Sequence, residues 1–274
     1  MNSIPNLTLT DGNQIPQLGF GTWQVPDAEA ETAVNLALEA GYRHIDTAAI
    51  YGNEAGVGRA LANADLPRNE LFITTKLWND AHLASDARRG IELSLEKLGL
   101  DQIDLYLIHW PATVKYGEAY IEAWDAMQEF KAEGLVRSIG VSNFLPHHLD
   151  KLNGEVPVVD QIEVHPTLTQ TALRTELVAR QIAIESWSPL GSGDDLGNSV
   201  VTKIAAEMGR STAQVIIRWH LQHGLIVLPK SVTPHRIVEN TNVFDFELDD
   251  SQMAEIDALD ADNRRGSHPD TATF

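Results

Sequence analysis

The sequence contains no cysteine among its 274 residues. Disulfides, thiolate nucleophiles and cysteine-ligated zinc or iron–sulfur centres are therefore excluded. Basic residues are also scarce, with 20 Lys and Arg against 39 Asp and Glu and a formal net charge of −19. Nucleic acids and anionic membrane surfaces need a basic protein face, so we expect neither as a partner.

Long apolar runs are missing as well. No segment reaches the roughly 18–20 uninterrupted apolar residues of a membrane span. The opening residues, MNSIPNLTLTDGNQ, lack the basic and apolar regions of a secretory signal, so we expect a cytoplasmic protein. Apolar residues still make up 43% of the chain, which is enough for a substantial core.

Apolar runs of strand length alternate with helix-like segments along the chain. Strands are predicted at 17–23, 43–48, 71–77, 103–110, 137–143, 158–164, 182–188 and 225–231. Helices are predicted at 27–41, 53–64, 85–99, 118–134, 146–153, 169–180, 212–223 and 234–241. Near-continuous apolar strands indicate a parallel sheet covered by helices on both faces. Eight such units predict an α/β fold, a (β/α)8 TIM barrel, as one domain over residues 1–274.

Three segments fall outside this alternation. LTLTDGNQIPQLG (7–19) predicts an N-terminal β-hairpin that closes the bottom of the barrel, with Asp11-Gly12 in a type I′ turn. SPLGSGDDLGNS (188–199) is rich in Gly and Asp and predicts a mobile loop at the rim. The tail after residue 246 predicts one short helix and an irregular end near the rim.

Four polar residues stand at or just beyond the ends of successive predicted strands: Asp46, Tyr51, Lys76 and His109. Strand ends of such a barrel converge on one rim, where the chemistry of these proteins lies. A free tyrosine has a pKa of roughly 10. The ammonium group of a neighbouring Lys76 would lower this pKa, and Asp46 would hold that ammonium group in place. With His109 as a hydrogen-bond donor or proton relay, the set predicts an enzyme that protonates a carbonyl oxygen during hydride reduction.

The hydride donor would be a nicotinamide, because no metal set, flavin signature or thiol is visible in the sequence. No G-x-G-x-x-G is present, and Gly56-Val57-Gly58 lacks the third glycine, so a Rossmann site is not supported. Positive charge occurs instead at Lys230-Ser231-Val232-Thr233 and Arg236, after the eighth predicted strand. Barrels commonly bind phosphate there, which favours NADP(H) over NAD(H); a solvated helix start is the alternative interpretation.

Metal-dependent chemistry is another possibility for a barrel. His220 and His223 share a helix face at i, i+3 spacing, but metal-dependent hydrolase barrels usually gather histidines from several strand ends. Of the histidines near such ends, His109 and His165 qualify. No metal site is therefore predicted.

The same residues belong to a series of ordered motifs: GFGTW (19–23), YRHIDTAAIYGNE (42–54), TTKLWN (74–79), LIHWP (107–111), GVSNF (140–144), QIEVHP (161–166), WSPLG (187–191) and PKS (229–231). Through them the sequence resembles the aldo-keto reductases over nearly its whole length, and it is most similar to the bacterial 2,5-diketo-D-gluconate reductases. The resemblance implies a (β/α)8 barrel with NADP(H) extended over the rim. It also implies Tyr51 as general acid, tuned by Lys76 and Asp46, with His109 orienting the carbonyl.

The resemblance further implies where the cofactor binds. Trp187 would stack on the nicotinamide and Gln161 would contact its carboxamide, while Thr233 stands where those relatives tend to carry a second arginine. We therefore expect a weaker grip on the 2′-phosphate and measurable use of NADH. The complete implied set is Thr22, Trp23, Asp46, Ser142, Asn143, Gln161, Trp187, Ser188, Pro189, Leu190, Gly191, Lys230, Ser231, Val232, Thr233, Arg236, Glu239 and Asn240.

The expected substrate is a small carbonyl compound. Its pocket would be lined by Trp23, Ile50, Trp78, His109 and Trp110, and aromatic walls favour breadth over strict selectivity. A keto-sugar acid such as 2,5-diketo-D-gluconate or a broad range of small aldehydes and ketones would fit this expectation. A non-catalytic nicotinamide-binding module is the alternative, against which the intact catalytic set argues. We expect a monomer.

Overall fold

The computed structural model describes residues 4–274, so the first three residues of the predicted domain lie outside the described residues. The β-strands are β1 (Asn6–Thr8), β2 (Gln14–Pro16), β3 (Gly19–Gly21), β4 (His44–Asp46), β5 (Phe72–Leu77), β6 (Ile103–Ile108), β7 (Val136–Ser142), β8 (Val159–Glu163), β9 (Ala183–Trp187) and β10 (Ile226–Val227). Strands β3 to β10 pair in parallel in the order of the chain. A bridge between Leu18 and Val227 joins the two edges. The predicted (β/α)8 barrel is confirmed.

Helices surround the barrel between successive strands. They are α1 (Asp27–Glu39), α2 (Glu54–Asn63), α3 (Ala84–Leu98), α4 (Thr113–Tyr116), α5 (Tyr120–Ala132), α6 (Pro146–Leu149), α7 (Thr171–Ala179), α8 (Ser199–Met208), α9 (Thr212–Gln222), α10 (Pro234–Glu239) and α11 (Asp250–Asp257). None of the helices in the described residues is both long and apolar enough to cross a membrane.

The strands read as continuous apolar runs because both of their faces are buried. Every residue of β6 is buried. Leu105 and Leu107 point into the barrel and join one apolar cluster, whereas Tyr106 and Ile108 join the larger cluster beneath the helices. Alternate side chains of one strand thus build two separate core layers.

The N-terminal hairpin lies at the bottom of the barrel, as predicted. Leu9 and Ile15 are buried in the same cluster as the inward-facing residues of the strands. The predicted type I′ turn is wrong, however, because that turn needs positive φ at both central residues. Gly12 has a φ of 86°, but Asp11 is not among the residues with positive φ. A longer loop closes the hairpin, with the Leu9 amide donating to the Asn13 carbonyl at 2.9 Å.

Two further details differ from the predicted elements. Helix α8 was missed, although Asn198 caps its first turn by accepting a bond from the Val200 amide at 2.9 Å. The last barrel strand is shorter than predicted, since Pro229 has no amide hydrogen to donate to a neighbouring strand. Residues 188–198 form an irregular rim segment with a short 3₁₀ stretch from Gly191 to Gly197.

The Gly56-Val57-Gly58 pair has a packing role. A Cβ atom on Gly58 would come within 2.4 Å of the Lys97 carbonyl oxygen, and one on Gly56 within 2.5 Å of the Asp27 carbonyl oxygen. Helix α2 therefore packs against its neighbours through backbone that no larger residue could approach. Helix packing accounts for both glycines, so neither of them requires a bound dinucleotide.

Candidate active site

A cavity of about 1040 Å³ opens at the carboxyl ends of the barrel strands. It is lined by most of the predicted site residues, namely Trp23, Asp46, Ile50, Tyr51, Trp78, His109, Trp110, Ser142, Asn143, Gln161, Trp187, Ser188, Pro189, Leu190, Lys230, Ser231, Arg236, Glu239 and Asn240. Five predicted residues stand outside this lining: Thr22, Lys76, Gly191, Val232 and Thr233. The strand ends thus bring the separate motifs together around one space.

Lys76 lies behind the cavity wall and is fully buried. Its Nζ atom donates to both carboxylate oxygens of Asp46 at 2.8 Å and to the Thr47 carbonyl at 2.8 Å. The same nitrogen lies 3.4 Å from the Tyr51 hydroxyl oxygen. Strands β4 and β5 are parallel neighbours, so their ends hold the carboxylate and the ammonium group side by side. The predicted Tyr51–Lys76–Asp46 arrangement is present in the structure.

The pKa values of this group follow from burial and charge. Burial pulls the pKa of Lys76 down, but the nearby charges of Asp46 and Tyr51 outweigh it and raise the pKa above its ordinary value. Burial also raises the pKa of Tyr51, and the Lys76 charge offsets that rise in part. The expectation that Lys76 brings the tyrosine pKa below its usual value is therefore wrong for this structure. Tyr51 keeps its proton at neutral pH, with a cation positioned to stabilise the phenolate.

His109 stands on the other side of the Tyr51 ring, with the two ring centroids 5.6 Å apart. It is buried, and its Nδ1 atom has no hydrogen-bond partner in the described chain. Burial, together with the Lys76 charge, holds the pKa of His109 well below its usual range. A neutral imidazole is a very weak acid, so His109 suits a hydrogen bond to a carbonyl oxygen better than the transfer of a proton.

The residues expected to contact a carboxamide are already ordered by one another. The Asn143 amide nitrogen donates to the His109 carbonyl at 3.1 Å, and its amide oxygen accepts from the Trp187 indole at 2.9 Å. The Ser142 hydroxyl donates to the Gln161 carbonyl at 2.7 Å. These bonds fix the loop after β7 and the indole of Trp187 relative to the end of β6.

Gln161 is oriented by two buried carboxyl groups. Its amide nitrogen donates to Asp46 Oδ2 at 2.9 Å and to Glu185 Oε2 at 2.5 Å. Both N–H groups are used in this way, which leaves the amide oxygen as the acceptor that Gln161 can offer to the cavity it lines. A primary carboxamide such as that of nicotinamide supplies the matching N–H donor.

Positive charge at the cavity comes from the segment after β10. Lys230 and Arg236 line the space and form no ion pair with any residue from Ile4 to Phe274. Thr233 lies outside the lining, and its amide is bound by the Ser231 hydroxyl oxygen at 3.1 Å. Two unpaired cations on a chain with a net charge of −19 suit a phosphate group.

Sequence reasoning missed several residues of the site. Glu185, on β9, is fully buried against Gln161 and adds a second carboxyl group to the buried cluster around Asp46. A glutamate inside the apolar run IAIESW was the available signal. Phe274, from the tail, stacks on Trp78 with the ring centroids 5.8 Å apart. It also contacts Trp110 edge-on, with the ring centroids 5.1 Å apart, and so completes an aromatic wall. No local pattern marks this last contact.

A possible metal-binding group occurs elsewhere among the described residues. His147 and His148 lie near Asp270, with the His147 Nε2 atom 3.0 Å from the carboxylate. The Nδ1 atom of His148 accepts the Leu145 amide hydrogen at 3.1 Å, so the neutral ring carries its proton on Nε2, the atom that faces Asp270. That tautomer cannot ligate a metal there. The group does not line the active-site cavity.

The structure thus gathers a tyrosine, a lysine, a carboxylate and an imidazole at the rim of a parallel (β/α)8 barrel. The model of the aldo/keto reductase family matches residues 17–261, and the chain belongs to this family. The predicted family is thus confirmed, as are the NADP-dependent oxidoreductase class and NADP(H) as the cofactor that the family uses.

Several known proteins are similar over their full length. Methylglyoxal reductase DkgA of Escherichia coli K12 is 51% identical over 269 residues, covering 96% of each chain. An aldo-keto reductase of Mycolicibacterium smegmatis is 48% identical over 273 residues, covering 98% of each. The crystal structure of a Gox0644 variant in complex with NADPH superimposes with a TM-score of 0.95 at 45% identity, covering 100% of each chain. The Bombyx mori enzyme AKR2E4 in complex with NADP gives 0.91 at 38% identity, covering 98% of this chain and 97% of that one.

Replacing Glu185 by Gln should remove a pH-dependent loss of stability. Burial and the neighbouring Asp46 charge raise the pKa of Glu185 from 4.5 to about 8. Between these values the folded protein holds a proton that the unfolded chain releases, so rising pH favours unfolding. Glu185→Gln cannot ionise, and its stability relative to wild type should increase as the pH rises from about 5 to 9. Urea unfolding of both proteins at pH 5 and pH 9 measures this difference in the free energy of unfolding.

The exposed Glu207 offers a matched control, because Glu207→Gln removes one carboxylate without touching the buried group. Its stability relative to wild type should stay nearly constant with pH. A constant difference for Glu185→Gln as well would mean that Glu185 is ionised in the folded protein throughout this range.

Proposed function

We propose that this chain reduces aldehydes and ketones to alcohols with NADPH, and that Tyr51 donates the proton to the carbonyl oxygen. The observation that carries the proposal is the Tyr51 hydroxyl in the cavity wall, 3.4 Å from the buried Nζ of Lys76. The bound dinucleotide would supply the hydride. Residues of this chain would bind the dinucleotide, orient the carbonyl compound and stabilise the charge that develops on Tyr51.

The cavity has the donors, acceptors and charges that NADPH requires. The Gln161 amide oxygen and the ordered Asn143 suit the carboxamide, and the half-buried Trp187 offers an aromatic face to the nicotinamide. Lys230 and Arg236 suit the 2′-phosphate of the adenosine. NADPH and NADP occur in the complexes of Gox0644 and the Bombyx mori enzyme, which supports the same assignment here.

The proton step divides between three residues. Tyr51 carries the proton at neutral pH because burial raises its pKa. As the proton leaves, the ammonium group of Lys76 stabilises the phenolate, and Asp46 holds that group in place through two 2.8 Å bonds. Interactions that strengthen as charge develops lower the barrier, whereas equal binding of ground and transition states would not.

The substrate end of the cavity favours uncharged carbonyl compounds. Its walls are the aromatic rings of Trp23, Trp78, Trp110 and Phe274. The cations that line the described cavity, Lys230 and Arg236, belong to the cofactor end, and Lys76 is neutralised by Asp46. A carboxylate would lose its hydration here without gaining a partner. Small aldehydes, ketones and ketoaldehydes therefore fit better than a keto-sugar acid, and the similarity to methylglyoxal reductase DkgA supports this choice.

Tyr51→Phe should abolish most of the reduction while leaving NADPH binding nearly unchanged. Loss of a general acid typically costs ~10²–10⁴-fold in rate, and the phenyl ring can still pack against Trp23 and His109. Aldehyde reduction followed by NADPH absorbance gives kcat, and fluorescence quenching gives the cofactor Kd. Tyr42→Phe is the control, because that hydroxyl is buried and unpartnered away from the cavity.

Retention of more than a tenth of the wild-type kcat by Tyr51→Phe, with chemistry rate-limiting, would exclude Tyr51 as the acid. Tight NADPH binding by a wild-type protein that reduces none of a broad panel of aldehydes would instead favour a non-catalytic nicotinamide-binding module.

Arg236→Ala should raise the KM for NADPH about ten-fold or more and leave the KM for NADH nearly unchanged. A charge-assisted bond to phosphate is worth roughly 1.5–3 kcal/mol. Thr233→Arg should sharpen the preference for NADPH by adding a second cation. Comparing kcat/KM for both cofactors at fixed ionic strength measures the effect, since salt screens such contacts. Equal losses with both cofactors in Arg236→Ala would show that this side chain does not read the 2′-phosphate.

Methyl 4-formylbenzoate should be reduced with a kcat/KM about ten-fold or more above that of 4-carboxybenzaldehyde. The two aldehydes share ring and reactive group and differ in the negative charge, which the aromatic pocket does not pair. Steady-state kinetics at saturating NADPH measures both. Equal values would contradict the preference for uncharged substrates and restore the keto-sugar acid as the better candidate.

A further inference from the structure

Two segments that are distant in sequence line the cavity side by side, and Arg265 of the tail pairs with Asp194 of the rim loop at 2.9 Å. The rim loop, residues 188–198, contributes Ser188, Leu190 and Gly193. The tail, residues 258–274, contributes Gly266, Ser267 and Phe274. In the proposed function the rim loop covers the cofactor, while the tail borders the carbonyl pocket.

A buried histidine lies between these segments. His165 follows β8 and is fully buried. Its Nδ1 atom lies 2.9 Å from Asp195 Oδ2 in the rim loop, and its Nε2 atom lies 3.1 Å from Glu163 Oε1 at the end of β8. Carboxylate oxygens accept hydrogen bonds, so both ring nitrogens must carry hydrogen and the ring is an imidazolium.

The two carboxylates are ionised, because each accepts several further N–H or O–H donors. The Thr167 amide and hydroxyl both donate to Asp195, the hydroxyl at 2.9 Å. Hydrogen bonds from His165 hold the pKa of both Asp195 and Glu163 below their usual values against the effect of burial. Although burial lowers it, the pKa of His165 is raised overall by these two partners.

Glu163 extends the connection to the tail. It accepts the Arg265 amide hydrogen on Oε1 at 2.7 Å and the Gly266 amide hydrogen on Oε2 at 3.0 Å. Gly266 in turn packs against Trp187, since a Cβ atom there would come within 2.4 Å of the indole ring. The tail backbone at Gly266 therefore packs directly against the Trp187 indole, the ring that is proposed to stack on the nicotinamide.

We propose that His165 is a positioning residue whose buried imidazolium couples the rim loop to the tail, so that cofactor cover and carbonyl pocket are ordered together. The inference rests on the proposed function for its consequence in turnover. The chain of contacts itself runs from Asp195 through His165 and Glu163 to the amides of Arg265 and Gly266. The proton transfer at Tyr51 does not pass through it.

A neutral replacement breaks the coupling. His165→Gln can donate to one carboxylate through its amide nitrogen, but its oxygen then faces the other one, which repels it. We expect faster NADPH release by about five-fold or more and a higher KM for the aldehyde. The single-turnover rate of hydride transfer at saturating substrate should change less than about three-fold. This split separates positioning of the two segments from a defect in the chemical step.

His220→Gln provides the matched control. His220 is equally buried, but its ring nitrogens face the backbone carbonyls of Ile216 and Val164 and reach neither the rim loop nor the tail. General loosening of the barrel should appear in both variants, whereas loss of the coupling should appear in His165→Gln alone.

Amide hydrogen exchange in the cofactor-free protein tests the coupling independently of activity. In His165→Gln the rim loop and the amides of Arg265 and Gly266 should all lose protection. Asp195→Ala removes the His165 contact of the rim loop together with the 3.9 Å contact between Asp195 and Arg265, and it should also speed exchange at the Gly266 amide. Arg265→Ala, which removes the direct contacts of the tail to Asp194 and Asp195 and leaves His165 in place, should not reproduce that loss of protection. Unchanged tail exchange in Asp195→Ala, or equal effects of His165→Gln and His220→Gln, would overturn the proposal. Absence of aldehyde reduction by the wild-type protein would refute the proposed function and leave this test unaffected.

Discussion

Lys76 and Asp46 face each other inside the barrel, on neighbouring strands, with almost no exposure to solvent. Removing one partner of such a pair typically costs about 3–5 kcal/mol, because an uncompensated charge would remain buried. The pair persists because the ammonium group has three bonded acceptors and because Gln161 donates a further hydrogen bond to Oδ2 of the carboxylate. Its cation lies where a phenolate would form on Tyr51. The rest of the rim, from the neutral His109 to the ordered Asn143, is arranged around that charge.

The structure holds a second buried charge cluster with a different task. Glu163, His165 and Asp195 form a compact set in which one imidazolium serves two carboxylates. In the proposed function the first cluster assists a proton transfer, whereas the second is proposed to couple two segments of the chain. Both depend on a low-dielectric interior, where hydrogen-bonded charges are held firmly and an unpaired one is costly. At the cavity, Lys230 and Arg236 are cations that form no ion pair with any residue from Ile4 to Phe274.

The order of strands and the four catalytic candidates could be predicted because both follow from local patterns. An apolar run marks a buried parallel strand, and a polar residue at its carboxyl end lies near the rim, as Asp46 in β4 and Lys76 in β5 do. Contacts between distant strands leave no such pattern, so the bridge from Asp46 through Gln161 to Glu185 was not foreseen. The stacking of Phe274 on Trp78 was not predicted for the same reason. The direction of the Tyr51 pKa was misjudged because the sequence shows which charge lies near the hydroxyl but not how far the surrounding barrel removes that hydroxyl from water.

In the proposed mechanism the Lys76 charge stabilises the phenolate form of Tyr51, whose hydroxyl otherwise keeps its proton because it is largely removed from water. The most direct test is an NMR titration of ¹³Cζ-labelled tyrosine in the cofactor-free wild type and in Lys76→Met, with Tyr51→Phe to assign the resonance. The wild-type pKa should lie above 10, the ordinary value, and Lys76→Met should raise it further. A Tyr51 pKa that stays the same or falls in Lys76→Met would contradict the account.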